Sequence, residues 1–156
     1  MSSSPVQTSL APIFVRFIFA FVLCVIFVQV ITTVLKFDIP SSMSIITLVV
    51  ALAPAFDLFT RTTGRVMTSG EKLRFSLGAA IITIVINVAT LLLMSYIATG
   101  SLNLDTVTSG VGLGRIDTTF VAIILAGSLV LAFIITYFTA GFMGRGALKR
   151  LAKAKE

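Results

Sequence analysis

Four long apolar runs set the terms on which this chain can fold. Residues 17–35 form a run of nineteen with Gln29 as its only strongly polar side chain, and 43–60 a run of eighteen that carries Pro54 and Asp57. Runs 75–98 and 120–143 have twenty-four residues each. About twenty apolar residues cross a hydrocarbon core ~30 Å thick, so each run is long enough to span, the longer pair with tilt. In lipid the backbone must satisfy its own polar groups, which leaves helices or closed barrels. The runs lack the two-residue alternation of barrel strands. The expected fold is an all-α membrane protein, four transmembrane helices packed as a bundle. The membrane domain covers 13–146, between an N-terminal tail 1–12 and a basic tail 147–156, with no internal repeat or second domain.

Composition narrows the chemistry. Hydrophobic residues make up 57% of the chain and charged ones 12%, half the charge of an ordinary soluble domain. With no histidine, an imidazole-held haem, a histidine-based zinc site and a Ser-His-Asp triad are excluded. The one cysteine, Cys24, excludes a disulfide scaffold and reads as a buried small hydrophobe. Six carboxylates remain: Asp38, Asp57, Glu71, Asp105, Asp117 and Glu156. No catalytic, cofactor-binding or metal-ligating constellation emerges from them.

The cations set an orientation. Arg16, Arg61, Arg65, Lys72, Arg74, Arg145, Lys149, Arg150, Lys153 and Lys155 fall on one side, and only Lys36 and Arg115 on the other. Ten against two places both termini in the cytoplasm by the positive-inside rule. The bias absorbs the whole basic excess, leaving none for nucleic-acid binding. The first run exceeds a signal-peptide core and no A-x-A site follows it, so it reads as an uncleaved anchor.

The links carry turn chemistry. Links 36–42 and 62–67 are short enough to make successive helices neighbours, the first with Pro40, Ser41 and Ser42 as turn and cap. Thr68-Ser69-Gly70-Glu71 has the spacing of a capping box and, with Gly64, marks an ordered turn. Gly144-Arg145-Gly146 is expected to end the fourth span, before a short basic helix or frayed tail near anionic headgroups. The external segment 99–116 contains Ser109-Gly110-Val111-Gly112-Leu113-Gly114. This G-x-G-x-G lacks the spacing and strand–helix context of a dinucleotide fingerprint, and Gly110 and Arg115 stand where a potassium filter needs threonine and aspartate. It reads as a flexible external loop or docking surface.

Three sets of residues could do more than fill a bilayer. Asp57 is the one carboxylate inside a run, and Arg61 at i+4 shares its helix face, so the two are expected to form an interfacial ion pair. Pro54 leaves the Val50 carbonyl unpaired and should kink the helix. In the fourth run Ser128, Ala132, Thr136, Ala140 and Gly144 repeat every four residues, a row that lets helices approach closely. Ser76, Ala80, Thr83, Asn87, Thr90 and Met94 make a comparable row in the third. Finally, Gln29 and Asn87 each lie twelve residues into their spans, about 18 Å deep at 1.5 Å per residue, and Thr47 is about 20 Å deep. These three are expected to form a buried polar layer in which the amides bond between helices.

Several of these stretches resemble a family of small four-span bacterial inner-membrane proteins of unassigned activity. The likeness rests on Val15-Arg16-Phe17, Asp38-Ile39-Pro40-Ser41-Ser42, Gly64-Arg65-Val66-Met67-Thr68 and Glu71-Lys72-Leu73-Arg74, and covers roughly residues 15–93. It implies a bacterial inner membrane and no activity, cofactor or site. The sequence thus points to a non-enzymatic protein acting through helix packing, as an accessory or assembly subunit or small scaffold. Its expected partners are the lipid bilayer and either itself or a larger membrane complex. The competing expectation is a small transporter or channel, a parallel oligomer around Asp57 and Asn87; an enzyme built on Asp57 beside Arg61 lacks a second acid, a histidine or a metal cluster.

Overall fold

A computed structural model describes residues 9–35, 43–100 and 118–153. The 36–42 link, the glycine-bearing segment 109–114 and both extreme termini lie outside the described residues. Four helices account for all regular structure among the described residues: α1 (Ala11–Leu35), α2 (Met43–Thr63), α3 (Ser69–Thr99) and α4 (Thr118–Lys153). Each contains one of the apolar runs and is long and apolar enough to cross a membrane.

Local chemistry fixes the ends. The Leu10 carbonyl accepts from Ile13 and Phe14 N–H at 3.1 and 3.0 Å, and Pro12 occupies the first turn of α1, where no N–H is needed. α2 stops at Gly64, whose φ of 65° is left-handed and whose N–H bonds back to Thr60 O at 2.9 Å. Gly100 closes α3 in the same way, with φ 68° and a 2.8 Å bond to Tyr96 O. α3 begins at Ser69, six residues before its apolar run, because Thr68 and Glu71 form the capping box.

The fourth helix differs from expectation. It does not end at Gly144-Arg145-Gly146 but runs on to Lys153. Gly144 serves packing instead of termination: a Cβ there would stand 3.1 Å from Val66 Cγ1 of the α2–α3 turn. Glycine in a helix interior costs about 1 kcal/mol in propensity, which basic, helix-favouring residues beyond it can offset.

Around the bundle the order is α1, α2, α4, α3. Pairs α1–α2, α2–α4 and α4–α3 are closely apposed, and α1–α3 more lightly. Despite their short link, α2 and α3 are not backbone neighbours; they face each other across the diagonal and meet through Phe56 and Phe75, ring centroids 5.3 Å apart.

The core is concentrated toward the end where Arg61, Arg65, Lys72 and Arg74 cluster, here called the basic end. Phe17, Phe21, Phe56, Phe59 and Phe75 are buried there, and Phe75 sits among Phe14, Phe17 and Phe56 at 5.0, 6.0 and 5.3 Å. Offset and edge-on ring pairs add about 0.5–1.5 kcal/mol each beyond area burial. Phe14 approaches α3 over Gly78, where an added Cβ would come within 2.6 Å of the ring. Away from this end the helices open: residues 119–131 of α4 are exposed except for two half-buried positions. The bundle is closed at one end and splayed at the other.

Candidate functional site

The splayed half contains a polar cleft of about 320 Å³ between α1, α2 and α3. Gln29, Thr47 and Asn87 line it, together with Ser44 and Thr90. The three residues of the anticipated layer therefore share one cavity, but not in the anticipated way. Gln29 is half-buried and Asn87 exposed, so Asn87 does not face the core. Neither amide hydrogen-bonds to any of the described residues. Thr47 is buried, and its hydroxyl donates to Met43 O at 2.8 Å within its own helix. The bond between helices fails to form because α1 and α3 touch near Phe14 and Gly78 and then diverge. An apolar groove of about 630 Å³ runs between them, sharing Val25, Gln29 and Thr90 with the cleft.

The small-residue rows behave accordingly. On α4, Ala132, Thr136, Ala140 and Gly144 are buried and Ser128, nearer the open half, is exposed. On α3, Ser76, Ala80 and Thr83 are buried, whereas Asn87 and Met94 are exposed and Thr90 is half-buried. Thr136 and Thr60 satisfy their buried hydroxyls on the carbonyls four residues back, both at 2.8 Å. Ser76 Oγ and Thr83 Oγ1 are buried without a hydrogen-bond partner among the described residues.

At the basic end, Arg61 Nε lies 2.8 Å from Asp57 Oδ2, both side chains substantially exposed. Such a pair is worth at most about 1 kcal/mol. A second pair, not anticipated from the sequence, is better built. Both guanidinium nitrogens of Arg65 donate to the two carboxylate oxygens of Glu71 at 2.7 Å, and the same carboxylate accepts from Thr68 N at 2.8 Å and Thr68 Oγ1 at 3.0 Å. The Arg65 guanidinium also lies over Phe59, 5.4 Å from the ring centroid. Glu71 precedes the apolar run of α3; its bond from Arg65, assisted by Thr68, holds its pKa down at about 2 against burial. The capping spacing was visible, but only the left-handed Gly64 brings Arg65, six residues away, onto the cap.

Asp57 belongs to a different concavity from the amides. It lines a groove of about 910 Å³ between α2 and the end of α4, with Pro54, Arg145, Lys149 and Arg150. No residue is shared with the polar cleft; Phe21 lines the cleft and Phe56 the groove, and both are buried.

These features define the class: an integral membrane protein with four membrane-length α-helices among its described residues, tightly closed at its basic end. No family model, curated protein or solved structure matches the chain.

Proposed function

We propose that this protein is a non-enzymatic accessory or assembly subunit, or small scaffold, of a bacterial inner membrane, with both termini in the cytoplasm. The open half of the bundle is the face that a partner helix completes, whether from a second copy or from a larger complex. One observation carries this reading: Asn87, about 18 Å into its span by helical rise, is exposed and makes no side-chain hydrogen bond among the described residues. Lipid tails offer an amide nothing, so its donors and acceptor call for a polar group on another helix. The distribution of cations supports the orientation, and the resemblance over residues 15–93 supports the membrane.

The separation of the two concavities favours this reading over a transporter. A proton or ion path through Asp57 and Asn87 would need to join the cleft to the α2–α4 groove, and the two share no lining residue. The test is native purification in mild detergent with mass measurement. The wild-type chain should travel with a second copy or another membrane protein, and Asn87→Leu should weaken that association about twofold to threefold, the share of one interhelical hydrogen bond. A lone chain in both cases would refute the proposal.

A further inference from the structure

The groove between α2 and the end of α4 has a composition that changes along its length. Its α4 wall is built from two rows at helical spacing: Gly141, Arg145 and Lys149, and Phe142, Gly146 and Arg150. The deeper turn offers glycine and an aromatic, and the next two turns offer three cations. The apolar run of α4 ends at Met143, so those cations stand at the level of lipid headgroups. Phe142, one turn deeper than Gly146, is 84% exposed. Gly146 meets nothing within 4 Å of its would-be Cβ, which leaves the groove open at the height of the cations.

The charges are unbalanced. Asp57 on the α2 wall is paired with Arg61. Glu71, the other carboxylate among the described residues, is held by Arg65. Arg145, Lys149 and Arg150 make no ion pair among the described residues. A fourth cation is close by, since Lys72 Nζ lies 3.7 Å from the would-be Cβ of Gly141.

We propose that this groove is a binding site for an anionic glycerophospholipid. Its phosphate lies on Arg145, Lys149 and Arg150, and one acyl chain descends past Gly146 along Phe142 and Pro54. A guanidinium pairs with phosphate through two parallel hydrogen bonds, and basic recesses between helices at a membrane surface suit such headgroups. The paired Asp57 carboxylate limits the site to ligands whose charge is met by the α4 side.

The test uses the purified full-length chain in non-ionic detergent, titrated with phosphatidylglycerol or phosphatidylcholine, bound lipid being counted by native mass spectrometry. Phosphatidylglycerol should bind at least tenfold more tightly. Lys149→Gln/Arg150→Gln should weaken it more than fivefold, and Arg16→Gln/Arg74→Gln, which removes two exposed charges outside the groove, less than twofold. Gly146→Leu fills the groove at unchanged charge and should weaken binding severalfold; it decides the matter alone if the double variant fails to fold. Equal losses from both double variants, or full binding by Gly146→Leu, would mean diffuse attraction and overturn the site. So would inorganic phosphate competing at the lipid's own affinity, which would make it a soluble-anion site.

Discussion

Replacing Glu71 by glutamine tests the closure of the basic end. The substitution keeps the side chain's length and one acceptor for Thr68 but removes the charge that Arg65 grips at 2.7 Å on both oxygens. Two unit charges about 4 Å apart attract by about 4 kcal/mol at an effective dielectric of 20. Desolvation and the ordering of Arg65 oppose this, and with Arg65 40% exposed and Glu71 20%, a net coupling of about 1–2 kcal/mol is expected. A double-mutant cycle with Arg65→Met, read by far-UV circular dichroism during SDS titration of dodecyl maltoside micelles, isolates that coupling. The pH dependence has a definite sign. The folded carboxyl titrates near 2 and the free one near 4.5, so the contribution is complete above about 4.5 and declines as pH falls toward 2. The wild type should lose this increment between about pH 5 and 2, and Glu71→Gln should lack that part of the acid response. A coupling below about 0.3 kcal/mol, or identical acid profiles for the two proteins, would refute the reasoning.

Gly144→Leu should destabilise the fold by about 1–3 kcal/mol in the same SDS titration, because Val66 stands 3.1 Å from the new Cβ; Gly127→Leu, which meets nothing within 4 Å, should be tolerated. Exchanging Asp57 and Arg61 should preserve membrane yield better than Asp57→Ala, with both effects within about 1 kcal/mol for so exposed a pair. A proton-linked flux abolished by both Asp57→Asn and the exchange would favour the transporter reading. Single cysteines replacing Ser3, Asp105 and Lys155 in a Cys24→Ser background should be labelled in intact cells only at the middle position, and labelling at either end would overturn the orientation.

Helix number and type were legible because lipid permits so few alternatives: a run of eighteen or more apolar residues has one way to satisfy its backbone. Both ends of α3 rest on local chemistry, and the cap at Thr68 and Glu71 was readable for that reason. Arrangement was harder. A heptad or a moment reports a buried face in water, but here each helix is apolar nearly all round, so the pattern does not say which neighbour each face meets. Hence α2 and α3, joined by a short turn, lie on a diagonal, and α4 passes Gly144 without stopping. The Arg65–Glu71 bond is not legible in the sequence for a related reason, since it depends on the backbone reversal at Gly64 rather than on periodic spacing. Counting rise per residue assigns Gln29 and Asn87 to one layer, and the two border the same cleft. Their surroundings do not follow from the count, because depth fixes a layer and leaves the rotation of the helix undetermined.

That rotation matters because exposure means different things for different side chains in a bilayer. Val30, Val34, Ile123 and Phe138 are exposed on the bundle, yet hydrocarbon covers them as well as protein would, so their exposure identifies no partner. Four threonines are equally uninformative: Thr32, Thr47, Thr90 and Thr136 each return the hydroxyl to a carbonyl of their own helix at 2.8–3.1 Å. Asp57 has Arg61. Gln29 and Asn87 differ from all of these, since a primary amide presents two donors and an acceptor on one plane, more than a single carbonyl one turn back can satisfy. They sit on α1 and α3, the two helices that separate in the open half, and they border the same cleft. A polar side chain brought by a partner would therefore reach both amides at once while its apolar neighbours filled the groove between Val30 and Leu93. An interhelical hydrogen bond in a membrane is worth only about 0.6 kcal/mol on average, so the amides would fix where the partner sits more than how tightly it is held. Packing in the groove would supply most of the affinity, and loss of either amide should loosen the register before it abolishes association.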